Sequence, residues 1–142
     1  MINNIKNKVA KVIIYNDNFD FLLQLRDGNP KIEFPFYWNL IGGVVEKNEL
    51  PTNAILREIW EELNLNISNI DLFLESKYKD TYQYIYKLNL NIDANRIKLN
   101  EGISLGWFNY HEIENIEVAF NYKEILRRFW DDYRIYSSRG SQ

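Results

Sequence analysis

The chain has 142 residues, of which 46% are hydrophobic and 15% aromatic, which suffices for the core of one compact domain. A formal net charge of −3 argues against the broad positive surface that binds a polymeric nucleic acid, and the absence of cysteine excludes disulfides, thiolate zinc sites and a cysteine nucleophile. No stretch approaches the roughly 20 apolar residues that span a bilayer, so we expect a cytoplasmic protein without membrane contacts.

The first third of the chain has the pattern of short strands. Residues 9–15 and 19–25 are apolar runs separated by Asn-Asp-Asn, which is a turn signal, and they predict a β-hairpin. Residues 27–36 contain two of the three prolines and are predicted to form a loop. Short strands at 38–40 and 44–46 are expected to flank a pair of glycines.

A helix is predicted at residues 51–63, where the apolar residues Ile55, Ile59 and Leu63 recur every four positions. Pro51 suits the first helical position, and Asn64 can adopt the left-handed conformation that ends a helix. Further strands are predicted at 72–78, 82–90 and 104–108.

The last element is an amphipathic helix that begins near Tyr122 and extends past Tyr133, with aromatic and aliphatic side chains at three- and four-residue steps. Such a stripe is typical of core packing. Residues 137–142 are small and polar and predict a flexible tail. Together these elements predict an α/β sandwich with a mixed sheet, formed by a single domain over residues 1–142.

Three carboxylates lie on one flank of the predicted helix. Glu58, Glu61 and Glu62 are three or four residues apart, and like charges at these spacings repel each other. Either Arg57 or a divalent metal ion could relieve that repulsion. Oxygen ligands without Cys or a His pair favour Mg²⁺ or Mn²⁺ over zinc. The alternative is a solvated acidic face, which is the usual explanation for such a helix.

The wider spacing around these carboxylates argues against a solvated face. Residues 43–65 carry, in order, Gly43, Glu49, Arg57-Glu58, an aliphatic residue, Glu61-Glu62 and Leu65. This segment resembles the Nudix box, with Asn64 in place of its final glycine. Residues 22–26 are similar to the LLxxR-like strand of Nudix proteins. Residues 38–43 are similar to their Trp-x-x-Pro-Gly-Gly segment, with Ile41 in place of the proline.

The resemblance implies a Nudix-type α/β/α sandwich and a metal site. The metal would be Mg²⁺, for which Mn²⁺ can substitute. Its ligands would be the carboxylates of Glu58, Glu61 and Glu62 and the backbone carbonyl of Gly42. Arg57 would orient a box carboxylate, with Glu49 as its first expected partner.

The resemblance leaves the general base open. In the family the base is either a box glutamate, for which Glu58 and Glu61 are the candidates, or a glutamate on a downstream loop, for which Glu101 is the candidate. The residues with a catalytic role would then be Glu58, Glu61, Arg57 and Glu101. Substrate contacts are expected from Arg26 and from the aromatic side chains of Phe36 and Tyr82, which could stack on a base. His111 is expected at the surface or at the start of a helix.

The implied activity is metal-dependent hydrolysis of a phosphoanhydride bond in a nucleoside diphosphate linked to another moiety. A nucleoside triphosphate is the first expectation, and a nucleotide sugar or a dinucleoside polyphosphate is the alternative. A non-catalytic module that binds a nucleotide metabolite is the alternative from another class, although such modules usually lose box glutamates that are present here. The expected partner is a small nucleotide, and monomer and homodimer both remain open.

Overall fold

The computed structural model describes residues 5–97 and 104–140, with side chains through residue 134. The described elements in chain order are β1 (Asn7–Tyr15), β2 (Phe21–Leu25), β3 (Trp38–Asn39), β4 (Ile41–Val44), α1 (Pro51–Leu63), β5 (Asp71–Tyr78), β6 (Thr81–Asn89), a 3-10 turn (Ala94–Arg96), β7 (Leu105–Phe108), α2 (Tyr110–Glu114) and α3 (Tyr122–Gly140). In this part of the chain, no helix is long and apolar enough to cross a membrane.

Strand β1 lies at the centre of one mixed sheet. Along one edge it pairs in parallel with β6 over its whole length. Along the other edge it pairs antiparallel with two strands, with β4 through residues 9–12 and with β2 through Ile14 and Tyr15. The sheet therefore divides at β1. Strand β4, which carries the two glycines, lies beside the first half of β1.

Helices cover both faces of this sheet. Because strand side chains alternate between faces, the buried residues Ala10, Val12 and Ile14 of β1 join the core that contains α1, whereas Ile13 joins the core that contains α2 and α3. Each fully buried aliphatic or aromatic side chain contributes about 1.5–3 kcal/mol through removal of apolar surface from water. The predicted α/β/α sandwich with a mixed sheet is confirmed.

The predicted helix at residues 51–63 coincides with α1. Asn64 ends it in the left-handed conformation, with φ of 56° and ψ of 32°. The predicted hairpin is also present, since β1 and β2 pair antiparallel with Ile14 opposite Leu22. Strand β2 begins at Phe21 rather than at Phe19, because Phe19 has a φ of 57° and belongs to the turn.

The prediction of a strand at 44–46 was wrong. Strand β4 spans Ile41–Val44 and contains both glycines, which were expected to lie between two strands. Glycine is uncommon in strands because it loses more conformational freedom than other residues. The antiparallel pairing with β1, which sets Gly42 opposite Lys11, supplies the backbone hydrogen bonds that compensate for this.

The remaining predicted strands begin and end within a residue of β5, β6 and β7. Helix α2 was not predicted, although its signal is present: the side chain of Asn109 accepts the backbone N–H of Glu112, and the Glu112 side chain accepts that of Asn109. Helix α3 continues to Gly140, and the flexible tail at residues 137–142 stays a prediction.

Candidate functional site

The candidate site lies where the second half of α1 faces β4. A side chain on either glycine of β4 would collide with a neighbour. A Cβ atom on Gly43 would lie 2.5 Å from Oε1 of Glu58, and a Cβ atom on Gly42, whose φ is +137°, would lie 2.1 Å from the carbonyl oxygen of Ala10. Gly43 therefore lets the carboxylate of Glu58 approach β4, and Gly42 lets the main chain of β1 approach the same strand.

The Arg57 cluster, which consists of Arg57, Glu49, Glu58, Glu61 and the carbonyl of Val44, forms the outer half of the site. Nε and Nη2 of Arg57 donate to the two oxygens of Glu49 at 2.8 and 3.0 Å. Nη1 donates to Glu58 at 3.0 Å and to Glu61 at 3.2 Å, and Nη2 also donates to the carbonyl oxygen of Val44 at 3.1 Å. One guanidinium thus ties the loop before α1 to the helix itself.

This cluster shifts the protonation of its members in the expected directions. The hydrogen bond from Arg57 and a second from the backbone of Glu46 lower the pKa of Glu49. In return, the hydrogen bond with Glu49 raises the pKa of Arg57 above its usual value. Both groups are therefore held in their charged forms at neutral pH.

The Lys11–Glu62 pair forms the inner half of the site. Lys11 is only 7% exposed, and its Nζ atom donates to the carbonyl oxygen of Gly42 at 3.1 Å and, more weakly, to that of Leu40 at 3.4 Å. Glu62 comes from α1, and its Oε2 atom accepts the backbone N–H of Gly42 at 3.3 Å. A cation from the sheet thus contacts the carbonyl oxygen of Gly42, and an anion from the helix contacts the N–H of the same residue.

Burial acts on both members of this pair. It lowers the pKa of Lys11 to about 8, against the attraction of Glu62 and Glu58, which raise it, and with the repulsion of Arg26, which lowers it. Burial also raises the pKa of Glu62, and the neighbouring charge of Glu58 raises it further. Burial therefore disfavours the charged form of both side chains, and the attraction between Lys11 and Glu62 opposes that effect on each of them.

The carboxylate oxygens of α1 and the carbonyl oxygen of Gly42 are the ligand type that a hard divalent cation prefers. The structure brings most of the predicted ligands together. Glu58 and Glu62 interact with each other beside Gly42. Glu61 instead contacts Arg57 and is 52% exposed. Within residues 5–97 and 104–140, no three His, Cys, Asp or Glu side chains are grouped closely enough to hold a metal ion together.

Two adjoining clefts extend from this site. The first, of about 310 Å³, contains the inner half of the site; its lining is Lys11, Gln24, Leu25, Arg26, Asp27, Ile32, Asn39, Gly42 and Glu62. The second, of about 330 Å³, is more aromatic; its lining includes Lys11, Arg26, Gly43, Tyr78, Gln83, Phe120 and Tyr122. Lys11 and Arg26 belong to both clefts, so two cationic groups stand where the clefts meet.

The predicted substrate residues are placed differently from one another. Arg26 lies at the junction of the clefts, with its guanidinium 5.2 Å from the centre of the Phe120 ring. Phe36 lines neither cleft, because its ring lies over Gly28. Tyr82 also lines neither, and its hydroxyl donates to Glu75 at 2.7 Å. Gln83 lines the second cleft, so the alternation of β6 turns Tyr82 to the opposite face.

Two predicted residues remain, Glu101 and His111. Glu101 falls outside the residues that the structure describes, so its assignment as a candidate base stays a prediction. His111 is exposed in α2, beside the start of that helix.

Lys11, Gln83 and Phe120 are among the cleft residues that the sequence interpretation missed. Lys11 did give a signal, since it is a charged residue within the otherwise apolar run 9–15, and a lysine buried in a central strand requires partners. Gln83 and Phe120 gave none, because their positions depend on how β6 and the start of α3 pack against β1.

Comparison with known families agrees with this arrangement. The family model of the NUDIX domain matches residues 6–129 of the chain. The chain belongs to the Nudix family. The resemblance of residues 43–65 to the Nudix box is thereby confirmed, and the site at β4 and α1 is the part of this Nudix domain that carries the box.

Two curated relatives are similar to part of this Nudix domain. The dihydroneopterin triphosphate diphosphatase of Haemophilus influenzae is 32% identical over 62 residues, which are 44% of this chain and 37% of the relative. The 8-oxo-dGTP diphosphatase of Escherichia coli is 31% identical over 78 residues, which are 52% of this chain and 56% of the relative. The matched regions thus cover less than two thirds of either relative.

The fold also has close counterparts among solved structures. The MutT protein from Methanosarcina mazei Go1 superimposes with a TM-score of 0.72, covering 94% of this chain and 99% of the other at 22% identity. At that level of identity the likeness shows the fold, and the chemistry of the present chain must be argued from its own residues.

Proposed function

We propose that this chain is a metal-dependent pyrophosphohydrolase that cleaves a phosphoanhydride bond in a nucleoside diphosphate linked to another group, with a nucleoside triphosphate as its substrate. The observation that carries the proposal is the meeting of the α1 carboxylates with the glycines of β4 at a junction of two clefts that also holds Lys11 and Arg26. The two curated relatives support the substrate class, since both are triphosphate diphosphatases.

The metal in this proposal is Mg²⁺, for which Mn²⁺ can substitute. When bound, it would polarise the phosphoryl oxygens and lower the pKa of a water molecule. Glu58 and Glu62 would hold it, and Glu61 would join them on leaving Arg57. The raised pKa of buried Glu62 beside Glu58 supports this, because a cation would relieve the charge that these two carboxylates concentrate.

The side chains of the chain itself would orient the substrate. Arg26 lines the aromatic cleft beside the ring of Phe120, and from there it would contact a phosphate at the junction of the two clefts. Arg57 would act through the carboxylates that it holds, and Glu49 would fix Arg57 in turn. The general base stays open among Glu58, Glu61 and Glu101.

The aromatic cleft would take the base of the nucleotide. Tyr78 and Phe120 offer ring surface, and their rings are 5.7 Å apart. The side-chain oxygens of Gln83 and Asn39 are buried and have no hydrogen-bond partner among the described residues. Unpaired buried acceptors are costly, so a ligand that brings N–H donors into these clefts is favoured. Arg26 is kept as a substrate residue, whereas Phe36 and Tyr82 are replaced by Phe120 and Tyr78.

The experiment is to measure phosphate and pyrophosphate release from nucleoside triphosphates, nucleotide sugars and dinucleoside polyphosphates, each with Mg²⁺, Mn²⁺ or EDTA. The Glu62→Gln variant is the blank. We expect metal-dependent release of pyrophosphate from a triphosphate, abolished in the variant. If only a nucleotide sugar or a dinucleoside polyphosphate were hydrolysed, that compound class would be the substrate instead of a nucleoside triphosphate. Saturable nucleotide binding without turnover of any compound would indicate a nucleotide-binding module instead of an enzyme.

A further inference from the structure

Lys11 is the charged residue of this site that neither the Nudix box nor the proposed chemistry requires. It lies in the middle of β1, directly opposite Gly42 in the antiparallel pairing with β4. A lysine that is 7% exposed in a central strand is rare unless its ammonium is well partnered. Its principal hydrogen bond, at 3.1 Å, goes to the carbonyl oxygen of Gly42.

That oxygen is the one that the family resemblance assigns to the metal ion. An ammonium and a divalent cation are both attracted by a carbonyl oxygen, and they repel each other. Mg²⁺ also requires near-octahedral geometry at about 2.0–2.1 Å from its ligands, which leaves little freedom to avoid a second cation at the same oxygen. The carbonyl of Gly42 therefore already has a cationic partner within the protein.

The surroundings of Lys11 keep that partner in place. Glu62 and Glu58 attract the ammonium from α1, and Arg26 repels it from the end of β2. The ring of Tyr122, on α3, has its centre 6.0 Å from Nζ, and the second carbonyl contact, to Leu40, holds the amine toward β4. The ammonium is thus held by the carbonyl oxygens of Leu40 and Gly42, under the attraction of the carboxylates of α1.

We propose that the ammonium of Lys11 takes the place of a divalent cation at the carbonyl oxygen of Gly42, so that the site binds one metal ion fewer than it would with a neutral residue at position 11. The remaining metal binding then depends on the carboxylates of α1 without that carbonyl. Lys11 is a positioning residue in this sense, because it sets where and how many cations the carboxylates can hold. The inference rests on the proposed metal dependence.

The test counts the Mn²⁺ ions that each folded protein binds, by electron paramagnetic resonance of free Mn²⁺ at neutral pH and without nucleotide. The variants are Lys11→Met and Lys11→Gln, which are neutral, Lys11→Arg, which keeps the charge, and Lys8→Met, which changes an exposed lysine of the same strand. We expect one additional Mn²⁺ per chain in both neutral variants. The wild type, Lys11→Arg and Lys8→Met should bind equal numbers.

Two variants keep the test decisive if one of them does not fold, and circular dichroism in EDTA checks folding in each case. Lys11→Gln also separates charge from hydrogen bonding, since an amide can still donate to the Gly42 carbonyl. Equal, non-zero Mn²⁺ numbers in the wild type and in a folded neutral variant would overturn the inference and leave the proposed function standing. Absence of Mn²⁺ binding in every protein would overturn the proposed metal dependence, and the inference with it.

Discussion

The Arg57 cluster and the Lys11–Glu62 pair hold carboxylates of the same helix against a cation, but they do so in different surroundings. The side chain of Arg57 is 25% exposed, and its five hydrogen bonds to carboxylate or carbonyl oxygens are 2.8–3.2 Å long. Lys11 is buried, and its contacts to carbonyl oxygens are longer, at 3.1 and 3.4 Å. One half of the site is saturated with hydrogen bonds, and the other is not.

This difference indicates that the two halves of the site have different roles. A guanidinium that makes a bidentate contact and several further ones fixes geometry, because moving it breaks several charge-assisted hydrogen bonds at once. Glu62 has a single backbone donor at 3.3 Å and a pKa raised by burial, so its carboxylate gains most from an additional cation. We infer that the guanidinium of Arg57 positions the box, whereas the Lys11–Glu62 half offers a buried carboxylate to a further cation.

The largest expected effect follows from removing the charge of the inner half. Glu62→Gln keeps the size of the side chain and leaves the carboxylates of the Arg57 cluster intact. At saturating Mg²⁺ we expect turnover of the best substrate to fall about a thousandfold, as for the loss of a group that stabilises charge in the transition state. Steady-state pyrophosphate release measures it.

Glu46→Gln is the matched control for the outer half. Glu46 is 68% exposed and lies 3.8 Å from Arg57 at the edge of the cluster. Exposed ion pairs of this kind contribute little, so turnover should stay within about twofold of the wild type. Comparable losses in both variants would show that the two halves do not differ in the way proposed.

The contrast also explains which half could be predicted from the sequence. Arg57 and its carboxylates follow one another along a helix and the loop before it, so helical spacing and the box pattern were enough to predict their grouping. Lys11 and Gly42 are 31 positions apart and meet because β1 and β4 pair in one register. A single sequence does not determine that register. Tyr82 lies outside the two clefts for a related reason, since the face on which a strand residue lies changes with each position.

A smaller effect is expected in stability from changes to Arg57. Arg57→Met removes the bridge between the loop and α1 and leaves Glu49, which is 16% exposed, without its charged partner. We expect the free energy of unfolding to fall by about 2 kcal/mol, within the range for breaking charge-assisted hydrogen bonds at a partly buried site. Urea denaturation measures it.

Arg57→Lys is the informative companion of that variant. Lysine keeps the charge but cannot make the bidentate contact with Glu49. The free energy of unfolding of Arg57→Lys should therefore lie between that of the wild type and that of Arg57→Met. If Arg57→Lys matched the wild type, charge alone would explain the cluster, and the fixed geometry of the guanidinium would have no part in it.

The smallest effect is a pH dependence at Glu49. Its pKa in the folded protein is lowered from 4.5 by Arg57 and by the backbone of Glu46. In acid the unfolded chain therefore takes up a proton at this position before the folded chain does. The stabilisation by the carboxylate is fully present above about pH 4.5 and is lost as the pH falls through the folded pKa.

Glu49→Gln removes that contribution at every pH. The difference in urea midpoint between the wild type and this variant should be largest near neutral pH and should shrink as the pH falls below about 4.5. Lys11 stays protonated throughout this range, because its pKa is about 8, so its own charge does not change during the titration. A difference that is independent of pH would mean that Glu49 acts through packing, and the outer half of the site would then owe its geometry to shape rather than to charge.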